Sequence, residues 1–235
     1  MDRFRNQSGL LDEELLANTS FVVIGAGAIG SFFVTTLAKM GAKKITVYDM
    51  DTIEEHNISN QMYPTKYIGL PKAEALSGVA SDYGDVFIDA KGQWDVSEAI
   101  DGDIIVVAVD NMDTRKAIWD HYKNRPHKLF LEGRMSAQVF RVYGIASGDW
   151  AGARKYESSL YPQSEASEEP CGQKSIIYTV LQVSGQMLSQ VKRYLMKEYR
   201  PTEVIHDCLN DNVSKYFTME KPVMETIEAP EEVTV

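Results

Sequence analysis

The sequence predicts an α/β fold of the Rossmann type, in which a mostly parallel central sheet carries helices on both faces and an antiparallel extension. Three observations predict it. The apolar run Ser20–Ile24 ends in a glycine-rich turn that opens a helical pattern, and a second apolar strand follows that helix. Such a β-α-β unit has a right-handed crossover, which places its two strands parallel in a buried sheet. Near residue 130, two strand patterns follow each other without a helix between them.

The elements follow one another in a regular order. The helix after the first strand runs to about Met40, where Gly41 ends it, and Ile45–Tyr48 forms the second strand. Asp103–Val109 is an unbroken apolar run, as expected for a strand covered on both faces. The remaining predicted elements are a strand at Val86–Asp89, a helix from about Asp113 to Asn124, strands at Lys128–Leu131 and Gln138–Ile145, a helix over Ser175–Glu198, and a strand at Glu203–Asp207.

The length of 235 residues suits one large domain, which we expect to span residues 1–217. Residues 1–18 form its N-terminal arm and helix. Gly148–Gly172 is polar and irregular, so we expect a mobile crossover loop over residues 148–174. Residues 218–235 are rich in Glu and lack periodicity, which predicts an acidic tail.

The composition excludes several classes of protein. The formal net charge is −10, and an acidic surface argues against partners such as nucleic acid or anionic membranes. Apolar runs do not approach the ~18 residues of a membrane span, and Met1–Asn18 is too charged for a signal peptide. The two cysteines cannot form a disulfide framework or a four-cysteine zinc site, so we expect a cytoplasmic protein.

A glycine-rich turn follows the first strand. Gly25, Gly27 and Gly30 suit a tight turn, a close backbone approach to phosphate, and close packing of helix on strand. The helix that begins there offers N–H groups and a positive dipole end to an anion. Asp49 ends the second strand, where a carboxylate can bind ribose hydroxyls. These residues predict a nucleotide site, and taken alone they fit NAD as well as ATP.

Polar residues beyond the glycines make the prediction more specific. The segment DMDTIEEHNISNQMYPTKYIGLPK contains Asp49, Asp51, Asn57, Gln61 and Lys72. Further matches are Val109-Asp110-Asn111, the segment Gly133–Gln138, and Pro170-Cys171 before the long helix. In order and spacing, from about Arg3 to Asp207, the chain resembles the ThiF/MoeB/E1-like family. In Leu131–Arg134, Tyr156–Leu160 and Pro170–Tyr178 it is similar to short phage and mobile-element members.

The resemblance implies adenylation of the C-terminal carboxylate of a ubiquitin-like or sulfur-carrier protein that ends in a Gly-Gly-type sequence. The cofactors are then ATP and Mg²⁺. Lys72 can neutralise phosphate charge, and Asp110 at the end of its strand suits Mg²⁺ beside the triphosphate. Asn57 and Gln61 are neutral hydrogen-bonding groups for phosphate or ribose. Members of the family form homodimers in which an N-terminal arginine, here Arg5, reaches the partner's nucleotide.

Two departures from the family pattern bear on activity. Asn60 stands where the family often has an arginine. The family's second N-terminal arginine is either Arg5, displaced by one residue, or lost to Asn6. Cys171 has the position of the family's thiol nucleophile, before a helix N-terminus that favours a thiolate, although the acidic run Glu165–Glu169 opposes it. A role in thioester or persulfide chemistry and an incidental loop cysteine therefore both stay open.

Two other functions remain as alternatives. The first is a non-catalytic scaffold that pairs with an active E1-like chain, which Asn6 and Asn60 favour. The second is an NAD-dependent oxidoreductase, which only the glycines and Asp49 favour. The oxidoreductase leaves Asn57, Gln61, Lys72 and Asp110 without a purpose.

Overall fold

The protein forms one eight-stranded sheet, as seen in a computed structural model that describes residues 3–165 and 175–218. The strands are β1 (Ser20–Ile24), β2 (Lys44–Tyr48), β3 (Phe87–Lys91), β4 (Ile104–Val107), β5 (Leu129–Ser136), β6 (Val139–Ala146), β7 (Glu203–Asp207) and β8 (Asn212–Tyr216). Their order across the sheet is β3-β2-β1-β4-β5-β6-β7-β8. Neighbouring strands are parallel from β3 to β5 and antiparallel from β5 to β8. The predicted fold class is confirmed.

Six helices accompany the sheet among the described residues. They are α1 (Glu13–Asn18), α2 (Ala28–Met40), α3 (Lys72–Ser81), α4 (Met112–Tyr122), α5 (Trp150–Glu157) and α6 (Ile177–Leu195). Gly41 ends α2 in the left-handed conformation, with φ of 114°, and its N–H donates to the carbonyls of Leu37 and Ala38. Asn111 begins α4 because its side chain accepts a hydrogen bond from the N–H of Thr114.

Alternation along the strands divides the core into two layers. On β1, Phe21 and Val23 point to the face covered by α2, α3 and α6, whereas Val22 and Ile24 point to the face covered by α4 and α5. Successive side chains of a strand lie on opposite faces, so both faces of this sheet are apolar. No helix within residues 3–165 or 175–218 has the length and hydropathy required to cross a bilayer.

Two elements differ from the sequence-based expectation. Residues 148–172 were expected to be irregular, but Trp150–Glu157 is helical. Asp149 caps this helix by accepting from the N–H of Gly152, and Tyr156 is fully buried against aromatic rings of α4 and β5. Strand β8 was not predicted, because its side chains are all exposed and show no apolar alternation. Parts of the expected crossover loop and acidic tail lie outside the described residues.

Candidate functional site

The candidate site lies where the strand order reverses, between β1 and β4. In open α/β sheets, ligands bind outside the carboxyl ends of the strands at such a switch point. Two chain segments meet there, the turn after β1 and the turn after β4. They are held by hydrogen bonds from the N–H of Gly25 to the carbonyl of Tyr48 (2.8 Å) and from the N–H of Ala108 to the carbonyl of Ile24 (2.8 Å).

Each glycine of the first turn has a distinct environment. Gly25 has φ of +100°, and a Cβ placed on it would lie 2.6 Å from the carbonyl oxygen of Ala108. A Cβ on Gly30 would lie 1.9 Å from the carbonyl oxygen of Gly25, so the two positions require glycine for packing. A Cβ on Gly27, at the N-terminus of α2, would meet nothing within 4 Å. The structure therefore leaves open space beside Gly27, where N–H groups of the helix end are available to an anion.

Asp49 is tied to the glycine turn. Its Oδ2 accepts from the N–H of Ala26 (2.6 Å), and its Oδ1 accepts from the N–H of Asp51 (2.9 Å). Burial raises the pKa of the Asp49 carboxyl, although the hydrogen bonds from Ala26 and Asp51 oppose that rise. The carboxylate thus braces the turn, directly after β2, where the sequence predicts a ribose contact.

Tyr63 is a second brace, which the sequence did not single out. Its hydroxyl lies 2.7 Å from the carbonyl oxygen of Ala26 and 3.3 Å from that of Lys72, so it links the glycine turn to the start of α3. Tyr63 is buried, and burial raises the pKa of its phenol, which keeps the hydroxyl a hydrogen-bond donor. The sequence could not predict this role, because a single tyrosine in a polar loop is as consistent with ordinary packing as with bracing the glycine turn.

Lys72 reaches the site from the first turn of α3. Its Nζ lies 2.8 Å from Oδ2 of Asp51, and the Lys72 side chain is only 8% exposed while that of Asp51 is 57% exposed. The N–H of Lys72 also donates to the carbonyl of Asp51 (2.9 Å). Lys72, the predicted phosphate-binding cation, is therefore at the site. Its ammonium is paired with Asp51, which the sequence also predicted to be a site residue.

Asn57 stabilises its own chain segment, whereas Gln61 and the neighbouring Asn60 each keep a side-chain oxygen that is unpaired in the described part of the chain. Asn57 is buried, and its Oδ1 accepts from the N–H of Glu54 (2.9 Å), so it caps its own short helical turn. Gln61 Oε1 and Asn60 Oδ1 are buried and have no hydrogen-bond partner among the described residues. The Asn60 amide donates to the hydroxyl of Ser175.

Asp110 follows β4 and is exposed. No other described side chain bonds to it, and no cluster of three or more metal-ligating side chains occurs among the described residues. A single exposed carboxylate fits Mg²⁺, because Mg²⁺ usually binds one or two carboxylates together with phosphate oxygens and water. This donor set suits a metal that arrives with a nucleotide better than a resident ion held by the protein alone.

Arg5 lies away from the site in its own chain. It is exposed in the turns before α1, where Gln7 donates to the carbonyl of Met40 (2.7 Å). Met40 ends α2, whereas the glycine turn begins it, and a helix of 13 residues is about 20 Å long. Arg5 is therefore at the opposite edge of the sheet. Cys171 lies outside the described residues.

Comparison with known proteins identifies the family. The ThiF family pattern matches residues 3–223. The SAMP-activating enzyme E1 of Haloferax volcanii is 31% identical over 112 residues, which is 45% of this chain and 42% of that protein. The Arabidopsis thaliana adenylyltransferase and sulfurtransferase MOCS3 is 31% identical over 112 residues, 45% of this chain and 24% of that protein. The matched region thus spans less than half the length of these relatives.

Solved structures support the same fold. Escherichia coli MccB with ATP superposes with a TM-score of 0.68 at 14% identity, covering 90% of this chain and 67% of that one. PaaA superposes with a TM-score of 0.71 at 16% identity, covering 88% of this chain and 75% of that one. Because the family pattern covers nearly the whole sequence, the chain belongs to the ThiF family.

Proposed function

We propose that this ThiF family chain adenylates a carboxylate with ATP, and that the carboxylate is the C-terminus of a small ubiquitin-like or sulfur-carrier protein. One observation carries the proposal. The open space beside Gly27, the Lys72 ammonium and the Asp110 carboxylate all occur on turns and helix starts at the carboxyl edge of the sheet. The relatives named as a SAMP-activating enzyme and an adenylyltransferase support this kind of reaction.

The reaction joins two anions. A carboxylate oxygen of the carrier attacks the α-phosphorus of ATP, the bond from that phosphorus to the bridging oxygen breaks, and pyrophosphate leaves. The protein must align the two groups and stabilise the charge that develops on phosphorus and pyrophosphate. The N–H groups at the start of α2 and the Lys72 ammonium supply that positive field, and Asp49 binds the ribose. Asp110 would hold Mg²⁺, which supplies further charge neutralisation when bound with the triphosphate.

The ion pair between Lys72 and Asp51 sets the state of the site before ATP binds. At 2.8 Å it holds the ammonium in place, which lowers the ordering cost when phosphate arrives. Phosphate then competes with Asp51 for the same cation. Because Asp51 is more than half exposed, water can solvate its carboxylate when Lys72 turns toward phosphate. The pair therefore positions Lys72 without fixing it permanently.

The proposed assembly is a homodimer. Arg5 is at the opposite edge of the sheet from its own glycine turn, so an Arg5 that contacts ATP must come from a second copy. Sedimentation tests this directly: a monomer at micromolar concentration with full exchange activity would refute the assembly. The proposed role of Cys171 is a later thioester or persulfide step, which acts after adenylation is complete.

A second candidate is a non-catalytic scaffold. Asn60 replaces a family arginine and bonds to Ser175 instead of carrying charge to the site. An NAD-dependent oxidoreductase is a weaker alternative that leaves Lys72 and Asp110 unused. Calorimetric titration with ATP plus Mg²⁺ and with NAD separates the adenylation proposal from the oxidoreductase. Tighter binding of NAD would end the adenylation proposal.

The decisive experiment is ATP–pyrophosphate exchange with a small carrier protein that ends in Gly-Gly. Asp110→Ala should lower the exchange rate on the order of 10²-fold or more, since it removes an interaction made mainly in the transition state. Cys171→Ala should keep exchange and lose any thioester or persulfide. Circular dichroism checks folding of both variants. If the folded Asp110→Ala variant exchanges at the parent rate, the metal assignment is wrong, and absence of parent exchange favours the scaffold.

A further inference from the structure

Three charged side chains form a buried cluster behind the turn that carries Asp110. Glu132 on β5 is completely buried, and Arg134 binds it with two hydrogen bonds, Nε to Oε1 (2.6 Å) and Nη2 to Oε2 (2.8 Å). Arg115 on α4 is also buried, with its Nε 3.2 Å from the same Oε1. Burial lowers the pKa of Arg134, but hydrogen bonds to Glu132 and its charge outweigh burial and raise that pKa. The Arg134 guanidinium therefore keeps its charge.

Arg115 connects this cluster to the candidate site. Its Nε donates to the carbonyl oxygen of Val109 (3.0 Å), and its Nη2 donates to the same oxygen. Val109 immediately precedes Asp110, so this contact fixes the peptide plane that joins the two residues. Asp110 itself is exposed and has no side-chain partner among the described residues, so the backbone of the turn sets the direction of its carboxylate.

The far end of the cluster is held by the segment after α5. Arg134 Nη1 donates to the carbonyl of Ser159 (3.0 Å), and Nη2 donates to the Ser159 hydroxyl (3.1 Å). The Arg134 guanidinium also lies over the rings of Tyr143 and Tyr156, at 5.2 and 5.4 Å. These contacts give Arg134, and through it Glu132, one rigid position.

A stability role alone explains this arrangement poorly. Buried ion pairs lose hydration, and hydrophobic residues of similar volume often serve stability equally well. What a hydrophobic replacement cannot do is donate two hydrogen bonds to the Val109 carbonyl. We propose that Arg115 is a positioning residue that aims the Asp110 carboxylate, and that Glu132 and Arg134 hold Arg115 in place. The inference rests on the proposed function, because it takes Asp110 as the group that holds Mg²⁺ beside ATP.

The test measures ATP binding by calorimetry, once with Mg²⁺ and once with EDTA, and takes the ratio of the two affinities. Arg115→Met should reduce this metal-dependent gain about 10-fold or more, the usual effect of losing a partner that orients a metal ligand. Its affinity for metal-free ATP should match the parent. Lys116→Met is the control, because Lys116 is the next residue of α4 and its one ion pair in the described part of the chain is with exposed Asp120.

We expect Arg115→Met to fold, because Glu132 keeps both hydrogen bonds from Arg134 when the Arg115 side chain is replaced. Arg115→Lys is the second variant. It retains the buried charge but lacks the planar fork that reaches Val109 and Glu132 together, so it should also lose much of the gain. The inference is overturned if folded Arg115→Met or folded Arg115→Lys preserves the full metal-dependent gain.

The outcomes separate the inference from the proposed function. If Arg115→Met loses the metal-dependent gain but the parent shows no pyrophosphate exchange, adenylation fails and the positioning role stands. If Asp110→Ala loses the gain while Arg115→Met keeps it, the metal assignment stands and the positioning role is refuted. If Asp110→Ala keeps the metal-dependent gain, the assignment of Mg²⁺ to Asp110 and the positioning role of Arg115 are both refuted.

Discussion

Two substitutions in the glycine turn should separate folding from nucleotide binding. Gly27 lies at the start of α2, where an added Cβ meets nothing within 4 Å. Replacing an N-cap glycine by alanine costs below about 1 kcal/mol, so Gly27→Ala should lower Tm by at most about 4 °C. The new methyl group nevertheless occupies the open space through which phosphate would approach the backbone. We expect ATP to bind about 10-fold more weakly.

Gly30→Ala should behave in the opposite way. Its Cβ would lie 1.9 Å from the carbonyl oxygen of Gly25, far inside the closest approach that real Cβ atoms make. Relief requires a shift of the backbone between α2 and β1, and overpacking of this kind costs about 1–3 kcal/mol or more. The expected loss of Tm is about 2–12 °C for a domain of this size. The loss should appear without any ligand.

Thermal unfolding with and without ATP plus Mg²⁺ measures both effects. At an ATP concentration of about 100 times the parent Kd, binding stabilises the parent by about 2.7 kcal/mol. A variant that binds 10-fold more weakly gains only about 1.4 kcal/mol under the same conditions. The reasoning is refuted if Gly27→Ala is stabilised by ATP as strongly as the parent, because the open space would then not be the phosphate site.

Three further predictions concern single side chains, two at the site and one, Asp103, at the opposite edge of the sheet, where β4 begins beside the start of β1. Lys72→Met should cost little stability, because it leaves only the exposed Asp51 unpaired, yet it should slow exchange on the order of 10²-fold in the pyrophosphate assay. Tyr63→Phe should lower the free energy of unfolding in urea by about 1 kcal/mol, since it leaves the Ala26 carbonyl without its buried donor. Burial raises the pKa of Asp103, but hydrogen bonds from Ser20 and Lys128 outweigh it and lower that pKa. The stability that Asp103 contributes, about 1 kcal/mol, is therefore present above its unfolded pKa and lost as pH falls through the folded one, so the destabilisation by Asp103→Asn should shrink below about pH 4.

Several of the predicted strands are present in the structure. Ser20–Ile24 and Glu203–Asp207 form strands with the predicted bounds, and the predicted run Asp103–Val109 contains β4 at Ile104–Val107. Each of these segments combines apolar side chains with turn residues at its ends, and both signals are local. Helix α5 and strand β8 were missed because their signals are not local. Tyr156 holds α5 against rings from other elements, and β8 is exposed throughout and depends on pairing with β7.

The candidate site shows the same division. The sequence by itself determined which residue types meet at the carboxyl edge: the glycines, Asp49, Lys72 and Asp110 each follow a strand or open a helix, and strand order brings those ends together. Only the tertiary structure decided what each side chain does there. It paired Lys72 with Asp51, turned Asn57 inward as a cap, and placed Arg115 against the carbonyl beside Asp110. The physical reason is that chain order fixes where strands end, whereas partners for a buried charge or donor depend on three-dimensional packing across elements far apart in sequence.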